Sequence, residues 1–127
     1  LCGLSIGDIA ADRIGVATGR AAAWQQVVLL KGAYTIVASP AGPASINPFA
    51  NPALATAGTG DVLAGTIAGL LTQALAPYEA AVAGAYLHAG AAEIACRSVG
   101  NVGMVAGDLL PALPQAIQRL RGGLRHV

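Results

Sequence analysis

Between Lys31 and Glu79 a single residue, Asp61, carries a charge. So long a stretch with one charge cannot present a solvated surface along its length, and has to supply interior strands and helices. The scarcity extends to the whole chain, where 10% of residues are charged against a usual ~25%. Hydrophobic residues reach 55% while aromatic ones stay at 4%, so the apolar mass is Ala, Leu, Val and Ile. That composition suits helices packed on a buried sheet. The length of 127 residues fits one domain. So little polar surface leaves two explanations, burial in an oligomer or membership of a larger core, and the second is the expectation.

Several function classes are disfavoured. The net charge is +1 and the arginines are scattered, so no basic stripe suggests nucleic acid. Arg119, Arg121, Arg125 and His126 read as a solvated tail complementing a helix C-terminus. Cys2 and Cys96 lie far apart without metal-ligand spacing, which points to two packing cysteines in a reduced, cytoplasmic protein. No basic-then-apolar leader is read at the start, and the longest apolar run is broken by Gly and Thr, so secretion and membrane spanning are not expected.

Along the chain, Ser5 with Asp8 three residues on forms a capping-box pattern, opening a helix expected to end near Ala23. Val27-Val28-Leu29-Leu30 is an unbroken apolar run, expected as a buried strand parallel to its neighbours. Residues 34–38 and 44–47 read as strands of a hairpin around the turn Ser39-Pro40-Ala41-Gly42-Pro43. Residues 48–60 read as a long loop without structure of its own, a kind of segment that is more often functional than idle. Three helices follow, over about 61–74, 78–97 and 107–121. Gly65 and Gly69 in the first of these are expected to permit close packing against a neighbour, since each costs roughly 1 kcal/mol of helix propensity. The order of helix, strand, hairpin and three helices describes the closing half of an α/β sandwich.

Two segments can carry chemistry. Ala57-Gly58-Thr59-Gly60-Asp61 places glycines and a carboxylate where a helix begins. Backbone N–H groups are unpaired there, and the helix dipole favours negative charge. Charge building on a transferring phosphoryl group is stabilised by such donors, and Asp61 is placed to accept a proton from a substrate hydroxyl. The motif alone does not separate that role from simple helix capping. Lys31-Gly32-Ala33-Tyr34-Thr35 puts the chain's one lysine at the end of its most apolar strand, where open α/β sheets bind ligands. A lysine snorkelling from a strand end is the plainer alternative. Neither segment is a Walker loop, because the glycines lead to Asp61 and not to Lys-Ser or Lys-Thr. Asn47 and Asn51 suit Asx turns as well as ligand contacts. His88, between Leu87 and Ala89, reads as a satisfied buried histidine.

The run Asn51-Pro52-Ala53-Leu54-Ala55-Thr56-Ala57-Gly58-Thr59-Gly60-Asp61-Val62-Leu63-Ala64-Gly65 resembles the signature of the ADP/ATP-dependent NAD(P)H-hydrate dehydratases, which have a ribokinase-like fold. Leu29-Leu30-Lys31-Gly32-Ala33-Tyr34-Thr35 and Ala85-Tyr86-Leu87-His88-Ala89-Gly90-Ala91-Ala92 are similar to supporting segments of that family. The resemblance implies an α/β chain forming the C-terminal half of a ribokinase-like three-layer sandwich: a parallel strand plus hairpin, then three helices. Residues 1–127 would be the C-terminal part of a single dehydratase domain, about twice this size in the family. The remaining sheet strands and a histidine-containing substrate segment are expected upstream of Leu1.

The implied reaction is phosphorylation of the hydroxyl on hydrated NADH or NADPH by ADP or ATP, followed by loss of phosphate and return of the double bond. Lys31, Gly32, Ala33, Tyr34, Thr35 and Gly60 would bind the nucleotide, and Gly58, Thr59 and Gly60 would form the anion hole. Asp61 would be catalytic and, with Asn51, would contact the substrate. Mg2+ is implied as the phosphate partner, with no cage of protein ligands to hold it. The expected partners are the small-molecule substrate and further copies of the chain in a homo-oligomer, with neither nucleic acid nor membrane. Ala50, Ala53 and Ala57 stand where the family commonly has glycine, small-for-small changes that bear on loop geometry more than on chemistry. Two other readings remain, a ribokinase-like kinase of a vitamin precursor and an inactive nucleotide-binding or assembly fragment.

Overall fold

The computed structural model describes residues 3–123; Leu1, Cys2, Arg125 and His126 lie outside them. The first helical segment opens on the expected capping box: Ser5 Oγ accepts from Asp8 N at 3.1 Å, and Asp8 Oδ2 accepts from Ser5 N at 3.1 Å. A single helix to Ala23 does not form. Instead α1 (Ile6–Ala11) ends at Asp12, which leaves helical geometry with φ −145° and ψ 73° and caps α2 (Arg13–Trp24) through Gly15 N at 2.8 Å. The competing cap won over helical periodicity, because a side-chain acceptor offers the backbone an alternative partner.

Three short strands follow: β1 (Val28–Leu30), β2 (Ile36–Ala38) and β3 (Ala44–Ile46), in the order β1-β2-β3. The expected parallel pairing of the first strand is corrected here. β1 pairs antiparallel with β2, Leu29 opposite Val37, and β2 pairs antiparallel with β3, Val37 opposite Ser45. The physical reason is the connection: residues 31–35 are far too few for the crossover that a parallel pair requires. Both faces of the sheet are covered, with β2 buried throughout and β1, expected as buried, only half-buried at each of its three positions. Ile36 and Ala38 pack with Ala17 and Ala21 of α2, while Val37 packs with Ala81 and Ala85 on the other side. Helix, sheet and helix thus make three layers.

The second covering helix is α4 (Pro77–Val99), with eleven of its 23 residues buried, seven of them alanine. Small side chains there let neighbours approach closely. Leu87, Ala91, Ile94 and Ala95 join Leu109, Ala112 and Ala116 of α5 (Leu109–Gly123) in the largest apolar cluster. Helix α3 (Thr59–Leu71) crosses α4 at Gly84, where a Cβ would lie 2.5 Å from Ile67 Cγ1. Gly65 and Gly69 do not serve that contact, since a Cβ on either meets nothing within 4 Å among the described residues. The segment expected as a structureless loop contains a 3-10 turn, Pro52–Ala55, started by Asn51 Oδ1 accepting from Ala53 N at 3.0 Å. A second such turn, Ala106–Asp108, leads into α5.

Candidate functional site

The site is organised around one threonine. Thr59, at the first position of α3, has no exposed surface. Its Oγ1 lies 2.8 Å from the Leu54 carbonyl oxygen and 2.9 Å from that of Thr56, and its single proton serves the two in turn. Lys31 Nζ donates to the same Oγ1 at 3.3 Å and to the Leu54 carbonyl at 3.2 Å. The Thr59 carbonyl accepts from His88 Nε2 at 2.8 Å. A carbonyl only accepts, so the ring proton sits on Nε2. The two segments picked from sequence are therefore joined directly, Lys31 to Thr59, and a third, around His88, closes the arrangement from α4.

Segment 31–35 is shaped for that contact. Thr35 Oγ1 donates to the Gly32 carbonyl at 2.9 Å and accepts from Gly32 N at 3.3 Å, closing a small turn. Gly32 takes φ +145° and Tyr34 φ +52°. Arg13 of α2 secures the turn from outside by donating to the carbonyls of Ala33 and Leu30.

A cavity of about 240 Å³ opens between this turn, the 48–55 loop and α4. Lys31, Gly32, Ala33 and Thr35 line it, while Tyr34 points away, 54% exposed. Opposite stand Phe49, Leu54, Ala85 and His88, an apolar slot with few polar groups. Asn47 lends Nδ2 to the Ala85 carbonyl at 2.8 Å, and its buried Oδ1 has no partner among the described residues. Asn51 also borders the cavity, but its side chain is committed: Oδ1 caps the 3-10 turn and Nδ2 donates to Glu93 Oε1 at 3.0 Å.

The turn itself presents bare donors. Gly58 has φ +84°, and a Cβ there would come within 3.1 Å of Ala106 Cβ, so glycine is required on two counts. Asp61 N and Val62 N both bond back to the Gly58 carbonyl, at 3.1 and 3.3 Å, and Thr59 N leans toward the Thr56 carbonyl at 3.4 Å. The N–H groups of Gly58 and Gly60 have no acceptor among the described residues. Asp61 is exposed on the first turn of α3, next to these donors and outside the lining of the cavity. Burial holds the His88 imidazole below its ordinary pKa, and the Lys31 charge pushes the same way against the opposing pull of the Thr59 bond. At neutral pH the ring is therefore an uncharged donor.

Sequence reasoning missed the cavity wall on α4 and the support from Glu93. The spacing of Ala85, His88 and Ala89, all on one helical face, was the available signal.

A family model for NAD(P)H-hydrate dehydratase matches residues 1–115. The chain belongs to that family. A bifunctional NAD(P)H-hydrate repair enzyme, Nnr, of Moorella thermoacetica is 50% identical over 120 residues, covering 94% of this chain and 23% of that protein. An ADP-dependent (S)-NAD(P)H-hydrate dehydratase of Neisseria meningitidis is 42% identical over 113 residues, covering 88% of this chain and 38% of that protein. Among solved structures, an ADP/ATP-dependent NAD(P)H-hydrate dehydratase from Bacillus subtilis, co-crystallised with ATP and Mg2+, superposes with a TM-score of 0.87. It is 35% identical, and the match covers 92% of this chain and 42% of that one. The chain thus spans less than half the length of each of these relatives, and within that span it has their fold, the ribokinase-like arrangement implied by the sequence. Membership also decides between this family and the vitamin-precursor kinases.

Proposed function

We propose that this chain supplies the nucleotide-binding and proton-accepting part of an ADP/ATP-dependent NAD(P)H-hydrate dehydratase. The observation that carries the reading is the direct bond between Lys31 and Thr59, which sets the apolar cavity beside a helix mouth with bare N–H groups. The adenosine part of ADP or ATP enters the slot lined by Lys31, Gly32, Ala33 and Thr35, with Tyr34 contributing the left-handed bend of that turn. The phosphate end reaches the anion hole, where Gly58 and Gly60 present free N–H groups; Thr59 works from below, through its buried hydroxyl. Lys31 adds positive charge between the two.

Asp61 stands where the substrate hydroxyl has to approach. It takes the hydroxyl proton as the oxygen attacks the terminal phosphorus; an O–P bond forms, and the phosphoanhydride bond to the leaving AMP or ADP breaks. Loss of the phosphate with a ring proton then restores the double bond of NADH or NADPH. Asn51 acts by holding the loop, its amide being held by Ala53 and Glu93. No three His, Cys, Asp or Glu side chains converge on a metal position among the described residues. Mg2+ therefore fits this chain only as a companion of the phosphate oxygens, the usual mode for that ion.

Residues 1–127 as one part of a single larger domain, a homo-oligomer and a cytoplasmic location belong to the same proposal. Exposed Ile6, Trp24 and Val102 support burial of further apolar surface in the assembled protein, and a free Cys96 thiol suits a reducing compartment. No helix of the described residues is long and apolar enough to cross a membrane.

The test is turnover of hydrated NADH with ADP or ATP by a complete domain carrying these residues, read at the reduced-nicotinamide absorbance band. Asp61→Asn is expected to lower turnover on the order of 10²–10⁴-fold while leaving ADP affinity nearly unchanged. Equal loss of both would make Asp61 a helix cap and overturn the catalytic assignment.

A further inference from the structure

We propose that His88 is a positioning residue: by holding the Thr59 carbonyl, its Nε2–H aims the Gly60 N–H at the phosphate bound by the turn. The inference rests on the nucleotide reading above and adds to it a residue that acts through the backbone.

The geometry follows from one peptide unit. Described residues contain no cis peptide bonds, so the Thr59–Gly60 unit is planar and trans, with its C=O and N–H pointing in opposite directions. A bond that fixes the oxygen fixes the hydrogen as well. His88 approaches the oxygen from the buried side, on α4, at 2.8 Å. The Gly60 N–H is thereby turned to the opposite, outer side. No acceptor takes that N–H among the described residues. The carbonyl oxygen has two lone pairs, so the bond from His88 adds to the ladder of α3 without displacing it.

The alternative is that His88 is a core residue whose polarity is merely satisfied. An apolar side chain of similar size would fill the space between α3 and α4 without the desolvation that an imidazole suffers. A satisfied core histidine has no reason to bond the one carbonyl that shares a peptide plane with a bare donor of the anion hole. His88 also lines the nucleotide cavity, so the ring touches both the cavity wall and the turn beside it. A nucleotide entering the cavity therefore meets a ring already tied to the phosphate donors.

The experiment uses a complete domain that carries these residues. In the wild type, the long-range proton–nitrogen spectrum of the imidazole is expected to show a neutral ring protonated on Nε2; the other tautomer overturns the inference without recourse to any variant. His88→Leu removes the donor and His88→Gln returns an N–H near the same place. In His88→Leu the Gly60 amide resonance is expected to move and the dissociation constant for ADP to rise about tenfold, the effect of one hydrogen bond. In His88→Gln the resonance returns toward the wild-type position and the affinity stays within about threefold. An unmoved Gly60 amide in His88→Leu overturns the inference whatever ADP does, and failure of Gln to restore it reduces the ring to packing. A wild-type domain that takes up no ADP, with the Gly60 amide still moved by Leu and restored by Gln, sinks the nucleotide reading and leaves the positioning role standing.

Discussion

The Gly58–Asp61 turn has two sides that could hardly differ more. Inside, Thr59 is held by Lys31, Leu54, Thr56 and His88, and both its hydroxyl and its carbonyl oxygen have partners. Outside, the Gly58 and Gly60 N–H groups have no acceptor among the described residues, and the Asp61 carboxylate is exposed. Strong internal bonding costs conformational freedom once, on folding, so the outer donors are already aimed when a ligand arrives. Rigidity on one side is what makes unsatisfied groups on the other side useful rather than merely destabilising. Asp61→Asn, the change with the largest expected effect on turnover, acts wholly on the outer side and should leave stability within about 0.5 kcal/mol.

Thr59→Val attacks the inner side. It keeps the volume and removes the hydroxyl, so the Leu54 and Thr56 carbonyls lose its proton and one Lys31 proton loses its acceptor. A loss of about 1–3 kcal/mol in a denaturant titration is expected. A variant as stable as the wild type would mean that the inner network does not hold the turn. Gly58→Ala should cost a similar amount, about 1–3 kcal/mol, because it demands a left-handed backbone and presses on Ala106.

Gly60→Ala separates the two sides most sharply. Its Cβ points into open space and its φ is not in the left-handed region, so the fold has no objection. Helix propensity even favours alanine by about 1 kcal/mol. The same methyl stands in the path of a phosphate approaching the turn. Stability should therefore be equal or higher, with ADP binding weakened by about tenfold or more on the scale of a lost close contact. Unchanged ADP binding would show that the nucleotide does not approach Gly60.

Legibility from sequence followed the same division. The outer side was read correctly as a glycine-to-helix junction with a lone acid, because helix mouths and turn glycines are local properties. The inner side was not visible, since nothing local says that Lys31 reaches Thr59 across 28 positions or that His88 reaches it across 29. The strand at residues 28–30 shows the same limit: its apolar run marks a strand but not its burial, which is only partial at all three positions, and its direction depends on the shortness of the connection to β2. At Asp12 the side-chain cap of α2 overrides the apolar periodicity that runs through it.

The smallest expected effect concerns pH and tests whether the inner side is as closed as it looks. Burial first, and the Lys31 charge second, hold His88 below the ordinary histidine value of 6.5, against the raising pull of the Thr59 bond. Lys31 is the charged group whose field reaches the ring; the neighbouring α3 residues Thr59 and Leu63 carry no charge. Above 6.5 the ring is neutral in both folded and unfolded chains, and titration changes nothing. Below it the unfolded chain takes up a proton that the folded chain refuses, so stability falls as pH drops from 6.5 toward the lower folded value. His88→Gln removes this dependence. The two stability curves should run parallel at neutral pH and converge as the solution is acidified, the wild type losing ground. Curves that stay parallel down to pH 5, where a neutral ring should have begun to cost stability, would mean that the imidazole is solvated and that the turn it grips is looser than its bonds imply.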